Sequence, residues 1–300
     1  MPAITKHDMK AILGEDFFKE EVRWDYKISS EMKKVFAILL DLYMEFSELC
    51  DKYGLKYYAN SGFLLGAIRH KGFIPWDDDL DVAMPREDYN KLMEIAPKEL
   101  EYPYFLRTPY TDPECFYSSI VLMNLSTSFV PKIFRNNNFK MGIPMDIFPL
   151  DYCDPETLDA DRKLIYKHIM RCSGWMKRGC NNFDYYQPSK YAEYKTDNPM
   201  KEWEEIQRIA QNPRYNKSQF LGISVLTILK KEQSIYPAKD FEHCIMWPFE
   251  KISVPVPVGY ENLLSIQYGD YMTPPPNDER GKKNDQIIFD AERPYTDYLL

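Results

Sequence analysis

Paired cysteines, clustered histidines, a basic surplus and long apolar runs are all missing from this 300-residue chain. Its six cysteines (Cys50, Cys115, Cys153, Cys172, Cys180, Cys244) show no CxxC or other paired spacing, and its four histidines are dispersed. A zinc site is therefore not expected, and reduced thiols in a cytoplasmic protein are. The net charge of −8 argues against a general nucleic-acid binder, which would carry a basic face. An anionic small substrate stays compatible with that charge, because a few divalent cations invert a local field. No stretch approaches the ~18 consecutive apolar residues of a membrane span. The first residues, "MPAITKHDMKAILGEDFFKEE", are too charged for a secretory signal, so at most peripheral association with the inner face of a membrane is expected. Neither an internal repeat nor a low-complexity tract is visible.

What the chain has in quantity is aromatic: 23 Tyr, 17 Phe and 5 Trp, enough to build a core and still line a pocket. Residues 30–52 place Met32, Phe36, Leu39, Tyr43, Phe46 and Cys50 at spacings of three and four, which predicts a helix with one buried stripe. Ser30 is positioned to cap its start and Gly54 to close it. "LKYYAN" reads as a strand, "SGFLLGAIRHKG" as a short helix after it, and "REDYNKLMEIAPKEL" as a helix starting near Pro85. Strands are predicted at "DLDVAM", "YFLRT", "SSIVLMNL", "STSFV", "MGIPMDIFPLD" and within "FEKISVPVPVGY"; helices are predicted near 155–178, 189–211, 217–231 and in "YENLLSIQYGDYM". The pattern gives an α/β core over 1–154, a helical, tyrosine-rich lobe over 155–240, and a C-terminal segment, 241–300, returning to the core.

One stretch demands a chemical explanation. "GFIPWDDDLDVAMPRED" crowds Asp77, Asp78, Asp79 and Asp81 together. Such a run can be a solvated turn. It can also be a calcium loop, since Asp77, Asp79, Asp81 and Asp88 fall at positions 1, 3, 5 and 12 of an EF-hand frame. That frame, however, needs Gly where Val82 stands, normally ends in Glu, and has Pro75 and Trp76 where its first helix should run. The third reading is metal-assisted phosphoryl transfer. On a strand, Asp79 and Asp81 share one face, and Asp146 is likewise set between apolar neighbours, Met145 and Ile147. Ionised carboxylates in such places are costly unless paired or bound to metal, and two strands offering acids can hold two Mg2+ ions about 3.5–4 Å apart. Gly62 would allow close backbone approach to a phosphate at a helix N-terminus. A D-x-D pair also occurs in glycosyltransferases that use nucleotide sugars, but Asp146 and the short preceding helix favour the nucleotidyltransferase arrangement.

"SGFLLGAIRHKGFIPWDDDLDVAMPREDYNKL", "GIPMDIFPLD" and "VPVPVGYENLLSIQYGDYMTPPP" together resemble the LicD phosphotransferases, a family related to the fukutin-related proteins and remotely to polymerase-β-type nucleotidyltransferases. The resemblance covers the core and the tail and leaves 155–235 unmatched. It implies an α/β (α+β) nucleotidyltransferase core with a mixed sheet. It also implies Mg2+-dependent transfer, with Mn2+ as the alternative ion, of a phospho-substituent from a CDP-linked donor to a glycan or lipid-linked glycan, with release of CMP. The group is typically phosphocholine, delivered to teichoic acid, lipopolysaccharide or capsule; ribitol, glycerol and ethanolamine phosphates are alternatives, as is a non-catalytic binding protein on the same scaffold.

By position, the resemblance makes Asp79 and Asp81 the metal pair and Asp146 the third acid and the base. Asp77 becomes a supporting group and Asp78 a surface residue. Ser61 and Gly62 fall in the phosphate turn, while Arg69, His70 and Lys71 are candidates for neutralising donor phosphates, and Trp76 and Asp270 are supporting residues. Trp175, Tyr185, Tyr186, Tyr191, Tyr194 and Trp203 offer material for an aromatic box around a quaternary ammonium. Phe63 departs from the family, which usually has Thr or Ser there. If that hydroxyl held phosphate, its loss would cost ~1.5–3 kcal/mol, with Ser61 the nearest substitute.

Overall fold

The computed structural model describes residues 3–177, 194–216, 218–223, 225, 233–281 and 286–300. In order they form α1 (Met9–Leu13), β1 (Glu21–Arg23), β2 (Tyr26–Ile28), α2 (Ser30–Tyr53), β3 (Tyr58–Ala59), α3 (Ser61–Leu65), β4 (Asp81–Pro85), α4 (Arg86–Glu99), β5 (Tyr104–Arg107) and β6 (Ile120–Asn124). Then come β7 (Ser128–Pro131), β8 (Ile143–Tyr152), α5 (Leu158–Met176), α6 (Pro199–Ala210), β9 (Phe220–Gly222), β10 (Ile235–Pro237), β11 (Cys244–Phe249), β12 (Ile252–Pro257), α7 (Tyr260–Tyr268) and β13 (Ile287–Asp290). The class is mixed α/β.

The centre of the sheet is β8. Its residues 146–150 run parallel to β4 on one side and residues 143–147 antiparallel to β6 on the other, while its last two residues pair with β9. β3 extends the β4 side, β5 the β6 side and β10 the β9 side, all antiparallel. Val82, Ala83 and Met84 of β4, and Ile143, Met145 and Ile147 of β8, have no exposed surface. The acids at 81 and 146 are half-buried, as are Pro85 and Pro144, and Tyr152 at the end of β8 is exposed.

α2 is the main helix beneath the sheet. Its N-cap is Ser29, whose hydroxyl accepts from the Met32 N–H at 3.2 Å; Ser30, the expected cap, instead bonds the Glu31 carboxylate. Gly54 closes the helix at φ 64, the left-handed C-terminal position that glycine occupies most easily. Burial is broader than one stripe, since every residue from Val35 to Tyr43 is buried. The reason is that the sheet lies on one side and the N-terminal segment wraps the other. There Asp41 is satisfied by the Tyr104 hydroxyl at 2.7 Å and by His7 at 2.9 Å. Lys33 is likewise buried, over the Phe17 ring and 3.0 Å from Glu21, and burial followed by the Arg23 charge pushes it down to about 8.

α5 and α6 pack together as expected for the 155–240 segment, but that segment is not purely helical. β9 and β10 extend the central sheet, and β9 occupies part of the stretch read as a helix over 217–231, whose residues 217, 224 and 226–231 lie outside the described set. Three-residue strands of this kind are set by an available sheet edge rather than by any local period. The tail rejoins the core twice. The β11–β12 hairpin and α7 pack on β3 and α3, and β13 pairs antiparallel with β7, Phe289 opposite Phe129.

Candidate active site

Pro75 and Trp76 turn the chain into the acidic run, where the Asp77 N–H bonds the Ile74 carbonyl at 3.0 Å. Beyond it, carboxylate oxygens of Asp77, Asp78 and Asp79 all lie within 4.8 Å of one another, and the Asp77 and Asp79 carboxyls are hydrogen-bonded. Asp81 opens β4 directly beside Asp146 of β8 in the parallel register, so both side chains leave the same face. The row continues across the sheet: Asp81, Asp146, Val121 and Arg107 stand side by side on β4, β8, β6 and β5.

Charge is poorly tolerated here. Burial, then Asp77, Asp78 and Asp146, hold Asp79 well above the usual carboxylate range; burial, then Asp79, Asp146 and Asp77, do the same to Asp81. Burial pushes Asp77 up to about 6, with Asp78 adding to it, and pushes Asp146 up to about 6 against the opposing Arg107 charge. Asp77, Asp78, Asp79 and Asp81 make no ion pair among the described residues. Asp77 and Asp81 are half-buried while Asp78 and the Asp79 carboxylate reach solvent, so the run is not a wholly solvated turn. The calcium loop fails as well, because Val82, its sixth position, is buried inside β4. An all-oxygen, mutually repelling set fits a hard divalent cation such as Mg2+.

The strand-to-helix turn lies against this set. The Asn60 N–H bonds the Asp81 carbonyl at 3.0 Å, and Ser61 takes φ 46, a left-handed conformation rare for a residue with a Cβ. Gly62 follows, and a Cβ there would stand 2.5 Å from Asp77 Oδ2, so only glycine lets the acid close on the turn. Phe63 faces the other way. It is buried edge-on to Tyr43 at 5.4 Å and Phe249 at 4.8 Å, so position 63 in this backbone fills the core and presents nothing to the acids.

The basic residues are variously placed. Arg69 is nearly buried, donating to the Tyr271 carbonyl at 2.7 Å and to His70 Nε2 at 2.9 Å. His70 sits edge-on to Trp24 at 4.7 Å and Trp76 at 5.7 Å; burial, then Arg69, Arg23 and Arg280, push it down to about 4, so it is neutral at pH 7. Trp76 also meets Tyr26 at 5.9 Å and carries the Arg280 guanidinium 4.5 Å over its ring. Lys71 is exposed at the helix end, and Asp270 is exposed and accepts from the Thr273 hydroxyl at 2.7 Å. Of the aromatic-box residues, Trp203 is buried with its indole N–H on the Tyr117 carbonyl at 3.1 Å, and Trp175 packs edge-on to Phe116 at 5.3 Å. Tyr194 is half-buried, while Tyr185, Tyr186 and Tyr191 lie outside the described residues.

Residues 54–150 match the family described as LicD/FKTN/FKRP, nucleotidyltransferase domain, and the match contains the turn and all the acids. The chain is similar to the LicD family through this domain. It is 28% identical over 256 residues to the Lipopolysaccharide cholinephosphotransferase LicD of Haemophilus influenzae, covering 81% of this chain and 92% of that one. An uncharacterized protein of Rickettsia prowazekii is 40% identical over 95 residues, 32% of this chain and 33% of its own; one of Rickettsia typhi is 44% identical over 79 residues, 26% and 25%.

Beside the LicD domain's acids stand residues that sequence reasoning did not single out. The phenol of Tyr268, a partly exposed residue of α7, is pushed up by burial and then by the charges of Asp81, Asp77 and Asp79, so it lies within electrostatic reach of the acids. The residue belongs to the tail motif "YGDYM", from which the sequence pointed to Asp270 alone. Arg107, Tyr117 and Ser119 wall a cavity of about 200 Å³ that opens on Asp79 and Asp146. The Ser119 hydroxyl is 3.4 Å from Asp146 Oδ1, and Arg107 lies over the Tyr117 ring at 5.0 Å. The signal for Arg107 was an arginine closing a strand whose alternate residues, Tyr104 and Leu106, are core.

Proposed function

We propose that this protein transfers a phospho-substituent, phosphocholine first, from a CDP-linked donor to a hydroxyl of a cell-surface glycan, on a nucleotidyltransferase-type core. The observation that carries the reading is the convergence of Asp77, Asp79, Asp81 and Asp146 on the Gly62 turn with no basic partner for the first three. The LicD relative named as a lipopolysaccharide cholinephosphotransferase supports the choice of group and acceptor.

In this reading Asp79, Asp81 and Asp146 hold Mg2+, with Asp77 in support; when bound, the ion offsets the charge on the donor diphosphate and polarises it. The remaining work falls to the chain. The Ser61–Gly62 turn lets a phosphate approach the backbone, and Tyr268, kept protonated, is available as an O–H donor near the acids. Asp146, beside the Ser119 hydroxyl at the mouth of the inner cavity, takes the proton from the acceptor hydroxyl as general base. That oxygen bonds to the phosphorus carrying choline, the bond from this phosphorus to the bridging oxygen breaks, and CMP leaves. Positioning and charge compensation supply most of the rate in such transfers.

The reaction is assigned to the cytoplasm, at the inner membrane face. The five described cysteines are all free, which suits a reducing compartment, and no helix among the described residues is long and apolar enough to cross a membrane. The test is CMP release from CDP-choline, Mg2+ and a lipopolysaccharide core acceptor. Turnover is expected for the native protein and none for Asp79→Ala or Asp81→Ala; near-native turnover in either variant defeats the mechanism. CDP-ribitol, CDP-glycerol and CDP-ethanolamine in parallel identify the group, and calorimetric binding without CMP from any of them establishes a binding protein instead.

A further inference from the structure

Two recesses meet at the acids. The inner one is the 200 Å³ cavity on Asp79 and Asp146. An outer one, of about 680 Å³, runs between the first turns of α2 and the β7–β13 ribbon. Asp78 and Phe129 line both, so the two recesses adjoin and share these side chains as a common wall. Neither chamber is lined by Ser61, Gly62, Arg69, His70 or Tyr268. The acids are thus divided between two sides: Asp77 faces the Gly62 turn, whereas Asp79 and Asp146 also face the inner chamber.

In-line displacement at phosphorus requires the entering and leaving oxygens on opposite sides of the transferred group. The donor belongs with the Gly62 turn, so the acceptor must reach Asp146 from elsewhere. We propose that the two adjoining chambers form the acceptor channel, occupied by hexose units of a glycan whose reacting sugar fills the inner chamber. This rests on the transferase reading above.

The chemistry of the walls fits a sugar. The inner chamber is smaller than the ~300 Å³ at which sites for larger ligands begin, so it admits one ring and excludes a CDP-linked donor. Arg107, Ser119 and Asp146 on one side meet hydroxyls, and Phe129, Phe139 and Met141 on the other meet the apolar face of a pyranose. In the outer chamber Phe289 stands edge-on to Phe129 at 5.5 Å, and the rim mixes signs, with Lys34 paired to Glu292 at 2.9 Å. Among the described lining residues the acids Glu31, Asp78, Asp79, Asp146, Asp290 and Glu292 outnumber the bases Lys34, Lys132 and Arg107, which disfavours a polyanion.

The experiment measures binding separately on the two sides. Phe289→Ala removes an aromatic wall of the outer chamber, and Glu31→Trp, at an exposed first-turn position of α2, obstructs it. Full-length native and variant proteins of matched melting temperature are titrated by NMR with delipidated lipopolysaccharide core oligosaccharide and with a glycerol-phosphate teichoic-acid fragment. CDP-choline with Mg2+ is titrated in parallel. The channel predicts native binding of the hexose oligosaccharide, at least tenfold weaker in both variants, with CDP-choline affinity changed less than twofold. Unchanged oligosaccharide affinity in both variants, an equal loss of donor affinity, no native oligosaccharide binding, or binding of the glycerol-phosphate polymer alone each overturns it. Oligosaccharide binding that behaves as predicted in a protein that never releases CMP would keep the channel and discard the transferase reading.

Discussion

β4 and β8 lie side by side along five residue pairs, and both ends of the pair carry buried or half-buried carboxylates that the fold treats in opposite ways. At the far end, Asp151 is buried and receives two hydrogen bonds from Arg86, at 2.6 and 2.7 Å, with Gln207 accepting a third from the same guanidinium at 2.8 Å. At the near end, Asp81 and Asp146 sit beside Asp77 and Asp79 with no such partner. The N-terminal group His7, Glu45 and Glu48 resembles the far end, since Lys6 bonds both glutamates at 2.8 Å. Arg86 and Lys6 supply a cation to these two groups, whereas among the described residues four acids crowd the near end without one, which marks that place for a cation from outside.

The largest break in this comparison should come from neutralising each end in turn. Asp146→Asn is expected to lower CMP release by ~10²–10⁴-fold, the range for losing a general base, while leaving the melting temperature of the metal-free protein the same or higher, because a repelling charge has gone. Arg86→Ala should do the reverse. It strands Asp151 in the interior and should cost ~3–5 kcal/mol in denaturant unfolding, with turnover per folded molecule near native. Parallel effects of the two substitutions on activity and stability would erase the distinction between the ends.

A smaller effect is expected at the turn. Gly62→Ala puts a methyl 2.5 Å from Asp77 Oδ2, so the acid or the turn must shift, and a shift approaching 1 Å in a positioned group costs up to ~10²-fold in rate. Gly54→Ala is the control. Its φ of 64 strains a side chain, but nothing lies within 4 Å, so it should reduce stability by ~1 kcal/mol and leave turnover unchanged. Equal turnover in the two variants would mean that the Gly62–Asp77 approach has no part in the reaction.

The difference between the ends was only half visible in the sequence. The acids of the near end were, because Asp77, Asp79 and Asp81 are close together in the chain, and the helix stripe of α2 follows a short-range rule too. The expected alternation holds only from Asp81 on, since Asp79 lies ahead of β4. The arrangement of the acids against Arg107 was not visible, because the row Asp81–Asp146–Val121–Arg107 depends on the register of four strands separated by loops. The Arg86–Asp151–Gln207 group joins a helix start, a strand end and a second helix, and nothing in any one segment announces it. His70 shows the same limit. A helix-end histidine reads as a phosphate ligand until Trp24, from a hairpin 46 positions earlier, is found against its ring. Even the cap of α2 was decided by geometry, since Ser29 and Ser30 are chemically equal candidates.

The smallest effect is a pH dependence of stability at the near end. Asp146 has a folded pKa of about 6 against ~3.9 for an unfolded aspartate. Between those values the folded state binds more protons than the unfolded one, so stability falls as pH rises through that window and stays lower above it. Asp77, also near 6, adds in the same direction. In EDTA the melting temperature should therefore drop by a few degrees from pH 5 to 7.5, given ~2–4 °C per kcal/mol in a chain of this order of size. Mg2+ should recover most of the loss at pH 7.5 and little at pH 5, where protons compete for the same oxygens. Asp146→Asn should flatten the EDTA slope, because the group that titrates is gone. A slope that Mg2+ and Asp146→Asn both leave untouched would place the titrating groups elsewhere and remove the electrostatic contrast between the two ends of β4 and β8.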